Sequence, residues 1–159
     1  MQIIENFYDP YAWNKIEEAF LKNCANPWGH QVGVAHGDHE DDDLYFVSLL
    51  YDNFTAMGHN SWIIPELCAK LKVNALKRVK VNLYPRTENL IHHKDHVDYD
   101  FPHKGALLSL NTCNGMTVIG DKEISSVANR MILFDPQVPH HSTNCTDKPF
   151  RANININYF

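Results

Sequence analysis

Two histidines and an aspartate in the C-terminal half have the residue types and spacing of a metal site. His96 and Asp98 are separated by a single residue, so on an extended segment both side chains point the same way and can reach one ion. One short segment cannot surround a metal, so a third ligand must come from elsewhere; the candidates are the adjacent His140 and His141. Two imidazoles and one carboxylate form a facial triad, which holds divalent iron and leaves one side open for chemistry.

The last predicted strand adds a cation to this set. Arg151 supplies a planar fork of donors that suits a carboxylate. On an extended strand it shares one face with three asparagines at 153, 155 and 157, whereas the alternate positions are occupied mainly by apolar residues. A face of this composition is unusual in a packed core. It predicts the wall of a wet, polar pocket.

The combined pattern resembles a known family. His96-x-Asp98, His140 and Arg151, with Asn-Leu-Tyr-Pro at 82–85 and the closing Arg-Ala-Asn-Ile-Asn-Ile-Asn-Tyr-Phe, is similar to the iron(II)/2-oxoglutarate-dependent dioxygenases, and most of all to their prolyl-4-hydroxylase-like branch. The match covers roughly residues 77–159. The resemblance implies that His96, Asp98 and His140 bind Fe(II) and act in catalysis, with 2-oxoglutarate and O₂ as co-substrates.

The resemblance also favours one member of each pair of alternatives that the spacing leaves open. His93-x-Asp95 has the same spacing as His96-x-Asp98, but a phenylalanine and a strand follow the latter pair at the family's usual distance. His140 is favoured over His141 because the family's distal histidine follows the aspartate of a Phe-Asp pair by five residues.

Three further residues are expected at the co-substrate. The resemblance assigns the far carboxylate of 2-oxoglutarate to Arg151, with Tyr84 helping to hold it. Asn153 lies where other branches of the superfamily carry a serine that contacts the same carboxylate. Ser109 replaces a tyrosine that some prolyl hydroxylases use there. Asp95, next to the proposed ligand, is expected to orient His96.

The implied reaction is hydroxylation of an unactivated C–H bond. The resemblance suggests a prolyl residue in a peptide or protein, and a small molecule is the other candidate. Loops around 30–43, 85–95 and 99–104 are expected to select the substrate. The rival functions are a non-catalytic, metal-binding cupin-like module, a zinc hydrolase and a purely structural jelly roll.

The segments between turn signals predict a mainly β, α+β protein. Helices are expected at Tyr11–Asn23, with Asp9 as N-cap, and from Ser61 to Leu71, and the apolar run 44–51 is read as helix or a buried strand end. The expected strands are 75–84, 105–111, 116–119, 130–134 and 151–158. They predict a double-stranded β-helix, of the jelly-roll or cupin-like kind, with the N-terminal helices packed outside.

Length and composition fit one domain of 159 residues, with a helical support part at 1–76 and the jelly-roll core at 77–159. Strand 75–84 alternates, with Arg78, Lys80, Asn82 and Tyr84 on a face that should look into a cavity. The net charge of -5 gives no basic field for nucleic acid. Four scattered cysteines and the lack of a long apolar run predict a cytoplasmic protein with reduced thiols and no membrane anchor. The oligomeric state is left open.

Overall fold

The computed structural model describes residues 1–23, 26–32 and 44–159. Its helices are α1 (Pro10–Glu17), which continues into a π-helical turn at Glu18–Lys22, and α2 (Ile64–Leu71), which follows a 3₁₀ helix at His59–Ile63. Its strands are β1 (Gln2–Ile4), β2 (Gly29–Val32), β3 (Leu44–Asp52), β4 (Thr55–Ala56), β5 (Leu76–Pro85), β6 (Lys104–Ser109), β7 (Met116–Ile119), β8 (Lys122–Ser125), β9 (Met131–Phe134), β10 (His140–Ser142) and β11 (Phe150–Tyr158).

The strands form two antiparallel sheets. The major sheet has eight strands in the order β1-β9-β6-β11-β5-β3-β2, with β4 paired to β3, and the minor sheet has the order β10-β7-β8. The long central pair β11 and β5 runs in register from Phe150 opposite Pro85 to Asn157 opposite Arg78. This arrangement confirms the expected mainly β, jelly-roll class with flanking helices.

The two helices depart from the sequence-based boundaries at their ends. Asp9 caps α1 as expected, because its side chain accepts hydrogen bonds from the backbone N–H groups of Tyr11 and Ala12 at 3.0 and 3.1 Å. The predicted start of α2 is three residues early. Ser61 lies inside the 3₁₀ helix, where its hydroxyl donates to the carbonyl of Gly58 at 2.8 Å, and α2 begins at Ile64.

The N-terminal part supplies strands as well as helices. The apolar run 44–51 is strand β3, which pairs with β5 in the major sheet. β1 adds to the opposite edge of that sheet through β9. Periodicity did not distinguish strand from helix at 44–51, because both faces of the segment are partly covered. Most of the expected substrate loop 30–43, and Cys24, lie outside the described residues.

The main core lies between the helices and the outer face of the major sheet. Val79 and Val81 of β5 are fully buried there, against Ile16 of α1 and Leu67 of α2. A smaller apolar cluster fills part of the space on the inner face: Leu107, Ile119, Ile124, Ile132 and Phe134. The polar residues that alternate with these valines therefore point towards the interior between the two sheets.

Candidate metal centre

The proposed ligands are brought together by a backbone contact between two chain segments. The segment before β6 lies antiparallel to β10, so that His96 and His140 are directly paired. Each donates its backbone N–H to the other's carbonyl at 3.0 Å. Their imidazole rings lie 4.6 Å apart, centroid to centroid. Both rings therefore reach the inner face from adjacent strands.

Backbone carbonyls set the tautomer of both imidazoles. The Nδ1 atom of His140 is 2.9 Å from the carbonyl of Val138, and that of His96 is 3.3 Å from the carbonyl of Lys94. A carbonyl oxygen can only accept, so each Nδ1 carries the proton and each Nε2 keeps a lone pair. The Nε2 atom of His140 is buried and has no hydrogen-bond partner. An orphaned acceptor of this kind fits a metal ligand.

Asp98 is held as a carboxylate by two neighbours. Its Oδ1 atom pairs with the guanidinium of Arg78 at 3.1 Å, and its Oδ2 atom accepts a hydrogen bond from Asn157 at 2.8 Å. Burial alone would raise the pKa of the Asp98 carboxyl, but the Asn157 hydrogen bond and the Arg78 charge together hold that pKa below its ordinary value. Asp98 is therefore anionic and oriented at neutral pH.

The three donor groups fit a single divalent ion. His96, Asp98 and His140 each offer an atom, and these atoms lie within 4.8 Å of one another. The Nε2 atom of His140 and the Oδ2 atom of Asp98 are 3.9 Å apart. Metal–ligand bonds of about 2.1 Å place adjacent donors about 3 Å apart, so a small contraction would complete the site. Burial, followed by the nearby His140, lowers the pKa of His96, which keeps that imidazole neutral and ready to bind.

The alternative histidines have other partners. His141 contacts Asp95, with Nδ1 to Oδ1 2.6 Å, and His92, with 3.1 Å between ring nitrogens. His93 is buried against Tyr84, with its ring 5.3 Å from the tyrosine ring. The structure thus brings His96, Asp98 and His140 together, and their role as ligands stays a prediction. The expected contact of Asp95 with His96 is wrong, because Asp95 pairs with His141 instead.

A small cavity opens beside His96, Asp98 and His140. Its volume is about 40 Å³. The walls are formed by both sheets: Tyr45, Lys80, Asn82, Tyr84, His96, Asp98, Leu107, Thr117, His140, His141, Ser142 and Asn155. Tyr84 stacks on Tyr45 with 5.4 Å between ring centroids. The polar faces of β5 and β11 therefore line an internal pocket, as their alternation predicted.

Arg151 lies next to this cavity and is fully buried. Its guanidinium donates to the carbonyl of Thr143 at 2.9 Å and to the hydroxyl of Thr117 at 2.6 Å, and it sits 5.6 Å from the ring centroid of Tyr84. Its Nε–H has no acceptor. Within residues 1–23, 26–32 and 44–159 no carboxylate pairs with it. A buried cation without a counter-ion is costly, so the site favours an added anion.

Asn153 is also buried, more fully than His96, Asp98 or His140. It lies opposite Asn82 across the central strand pair, and its Oδ1 accepts a hydrogen bond from the Asn82 amide at 2.9 Å. The Nδ2 donor of Asn153 has no partner. Ser109 faces Asn153 from β6 and is buried too. The unused donor is suited to a carboxylate oxygen held by Arg151.

Sequence reasoning placed Arg78, Lys80 and Asn157 on polar strand faces that should line a cavity, because they alternate with apolar residues. It did not assign any of the three a contact with the proposed metal ligands. The alternation of residues along a strand does not give the position of Asp98 relative to the strands. That position depends on how residues 86–98 cross the sheet edge.

No protein-family model and no curated protein matches the sequence. Solved structures do match. An oxidoreductase of the 2OG-Fe(II) oxygenase family from Burkholderia pseudomallei is 11% identical, with a TM-score of 0.67 over 98% of this chain and 83% of that one. A Pseudomonas putida prolyl-4-hydroxylase is 14% identical, with a TM-score of 0.65 over 99% and 91%.

A third similar structure contains a peptide. It is a prolyl hydroxylase from Trichoplax adhaerens, in complex with a peptide fragment of the oxygen degradation domain of hypoxia inducible factor. It is 15% identical, with a TM-score of 0.65 over 99% of this chain and 82% of that one. The fold is that of the 2OG-Fe(II) oxygenases and prolyl-4-hydroxylases, which confirms at the level of fold the resemblance seen in the sequence.

No helix in the described part of the chain has the length and apolar character needed to cross a bilayer.

Proposed function

We propose that this chain is an Fe(II)/2-oxoglutarate-dependent dioxygenase that hydroxylates an unactivated C–H bond of a small molecule or of a prolyl residue in a peptide. The reaction is R–H + O₂ + 2-oxoglutarate → R–OH + succinate + CO₂. The observation that carries the proposal is the buried Arg151, a cation without a carboxylate partner in the described residues, beside a cavity walled by His96, Asp98 and His140.

His96, Asp98 and His140 would hold the iron. When bound, the iron supplies the redox chemistry that couples decarboxylation of 2-oxoglutarate to oxidation of the substrate. Asp98 offsets part of the metal charge, and Arg78 and Asn157 keep that carboxylate deprotonated and aimed. The imidazoles bind through Nε2 because their Nδ1–H groups are already engaged with the backbone.

Arg151 would bind the far carboxylate of 2-oxoglutarate. Its Nε–H is unused, and its terminal nitrogens can exchange Thr143 and Thr117 for an anion that makes stronger, charge-assisted bonds. Tyr84 contacts this guanidinium with its ring and also lines the cavity, so it would contact the same ligand. The amide of Asn153 adds a third donor.

Loading this site requires side chains on the wall to move. A cavity of about 40 Å³ holds little more than water, whereas ligand pockets usually measure about 300 Å³ or more. Arg151 contacts Thr117 and Tyr84, which line the cavity, but does not line it itself. A rotation of Tyr84, which lines the cavity and contacts the guanidinium, would join the two.

Two further observations support the proposal. The matching folds include enzymes named as 2OG-Fe(II) oxygenases and prolyl hydroxylases. No glutamate lines the described cavity, so it lacks the general base that a zinc hydrolase would require.

A cytoplasmic location is part of the proposal, since Cys68, Cys113 and Cys145 are free thiols.

The test is turnover and co-substrate binding. Purified protein with ferrous iron, ascorbate and 2-oxoglutarate should release succinate, and anaerobic calorimetry should show 2-oxoglutarate binding to the metal-loaded form. Arg151→Met should weaken 2-oxoglutarate binding by at least about 10-fold and leave metal affinity unchanged. Arg86→Met, a change at an exposed arginine, is the matched control.

Metal binding without succinate and without 2-oxoglutarate affinity would identify a non-catalytic metal-binding module instead. Unchanged 2-oxoglutarate affinity in Arg151→Met would show that this residue is not the anchor.

A further inference from the structure

Lys80 is a second cation in this cavity, and the proposed mechanism does not use it. It lies on β5 opposite Asn155 of β11, on the inward face of the major sheet. Its side chain helps to line the cavity together with His96, Asp98 and His140. The residue is only partly exposed, and its ammonium lies 5.7 Å from the centre of the Tyr45 ring.

Lys80 forms no salt bridge within the described residues. The charge of Asp98 attracts its ammonium, but that carboxylate is already engaged by Arg78 and Asn157. Burial, followed by the repulsion from Arg78, lowers the pKa of Lys80 to about 8. Both effects disfavour the protonated form of Lys80, so the surrounding residues do not fully stabilise its positive charge.

Filling the proposed site does not remove this imbalance. Fe(II) contributes two positive charges and Asp98 one negative charge, while Arg78, Lys80 and Arg151 add three positive charges. The dianion 2-oxoglutarate lowers the net charge of these groups to about +2. The cavity wall therefore still favours an anion after the metal and the co-substrate are bound.

Asn155 carries an unpaired hydrogen-bond acceptor at the same cavity wall. Asn155 lines the cavity, and its amide nitrogen donates to Asp98 Oδ2 at 3.5 Å. Its Oδ1 atom is buried and has no partner. A buried acceptor of this kind is costly unless a ligand supplies a donor. The ammonium of Lys80 and the amide oxygen of Asn155, which lie at paired strand positions, thus both lack a partner among the described residues. A ligand with an anionic group and an adjacent hydrogen-bond donor would satisfy both.

We propose that Lys80 and Asn155 bind the substrate, with Lys80 taking a carboxylate and Asn155 accepting a hydrogen bond from an adjacent N–H. The substrate class is then an α-amino acid, either free or as the C-terminal residue of a peptide, because both place a carboxylate beside an N–H. Lys80 is a specificity-determining residue of the site. The inference rests on the proposed function, for which it names the substrate class.

The binding test uses Mn(II) and 2-oxoglutarate under argon, so that no turnover occurs. Three matched sets of probes are titrated by calorimetry: the twenty free L-amino acids, their N-acetyl derivatives and their N-acetyl amides. Carboxylate-bearing probes should bind at least about 10-fold more tightly than the corresponding amides. Tight binding of N-acetyl acids as well as free acids indicates a C-terminal peptide residue, and a preference for the free acids indicates a free amino acid.

Variants of Lys80 make the test specific. Lys80→Met should remove the preference for carboxylates over amides, and Lys80→Arg should keep most of it. Lys122→Met, at an exposed lysine of β8, should leave all affinities unchanged. Lys80→Met should also bind Mn(II) at least as tightly as the parent protein, since a like charge near His96 is removed.

Several results would overturn the inference. They are equal affinity for acids and amides, retention of the preference in Lys80→Met, or weaker Mn(II) binding in that variant, which would indicate a structural role. Loss of 2-oxoglutarate affinity in Lys80→Met would assign the lysine to the co-substrate instead. If the parent protein binds no 2-oxoglutarate, the proposed function fails, and the titrations with Mn(II) alone still decide whether the carboxylate site exists.

Discussion

His96 and His140 are cross-strand neighbours that exchange both of their backbone hydrogen bonds, each 3.0 Å long. The distance between the two imidazoles is therefore set by strand pairing and does not depend on the conformation of a loop. The same contact places Asp98 two residues further along, next to Asn157 of β11. A metal site built on paired backbone is largely formed before the ion binds, so little ordering is required on binding.

Removal of either paired histidine should abolish metal binding. His96→Ala and His140→Ala should each weaken Mn(II) binding by more than about 100-fold. This loss is larger than that expected from removing a residue that only hydrogen-bonds to a metal ligand. His141→Ala is the control, because His141 contacts Asp95 and His92 and lies outside the three-ligand group. Anaerobic calorimetry measures all three. An equal loss in His141→Ala would show that the adjacent histidine is the ligand.

The Asn157 side chain should tune the metal through Asp98. Asn157→Ala removes the 2.8 Å hydrogen bond to Oδ2 and should raise the pKa of the Asp98 carboxyl. We expect Mn(II) affinity to fall by about 10-fold at pH 7 and by more as the pH is lowered, since protons then compete for the carboxylate. Asn153→Ala, on the same strand face but bonded to Asn82, should leave metal affinity unchanged. Equal effects of the two substitutions would contradict this role.

Much of the site was predictable because it follows from alternation along strands. β5 and β11 present polar side chains every second residue, and the structure places Tyr84 and Asn155 of these faces on one cavity. The His-x-Asp spacing was informative for the same reason. Residues with a common direction on one extended segment stay together whatever the rest of the fold does.

The remaining features depend on contacts between distant segments, which local pattern does not encode. β3 was ambiguous because its side chains are covered on both faces. Asp95 pairs with His141, 46 residues away, only because residues 86–98 run beside β10. The pairing of Arg78 with Asp98 likewise depends on where that segment crosses the sheet. Such choices follow from tertiary packing rather than from intrinsic preference.

The stability of the metal-free protein should depend on His93. Burial, followed by the charge of Arg151, lowers the pKa of this imidazole from 6.5 to about 4. Between these values the unfolded chain binds a proton that the folded protein does not, so the free energy of unfolding rises with pH. The contribution is complete above pH 6.5 and is lost as the pH falls towards 4.

Urea denaturation of the metal-free protein at pH 7 and pH 4.5 measures this effect. His93→Gln should reduce the stability difference between the two pH values by up to about 3 kcal/mol, since each pKa unit corresponds to about 1.4 kcal/mol. His59→Gln, at an exposed position, should leave the difference unchanged. A His93→Gln profile parallel to that of the parent protein would mean that the pKa of this imidazole is the same in the folded protein as in the unfolded chain.

Gly115 should be required for the position of Arg151. A Cβ at this glycine would lie 2.2 Å from the carbonyl oxygen of Asn144 and 2.6 Å from Cδ of Arg151, both closer than real contacts allow. The turn at 114–115 therefore needs glycine for close approach. Gly115→Ala should force the β10–β11 connection and the arginine to shift, with a loss of about 1–3 kcal/mol in unfolding free energy.

The same substitution separates the two halves of the site. The atoms nearest to a Cβ at Gly115 belong to Asn144 and Arg151, not to His96, Asp98 or His140. Gly115→Ala should therefore keep most of the Mn(II) affinity while weakening 2-oxoglutarate binding at least several-fold. Gly29→Ala is the control, since a Cβ there meets its nearest atom at an ordinary 3.9 Å. The affinities of Gly115→Ala and Gly29→Ala for Mn(II) and for 2-oxoglutarate are measured by calorimetry at a temperature below the unfolding transition. If Gly115→Ala binds 2-oxoglutarate as tightly as the parent protein, then the buried guanidinium either tolerates displacement or is not the group that holds the co-substrate.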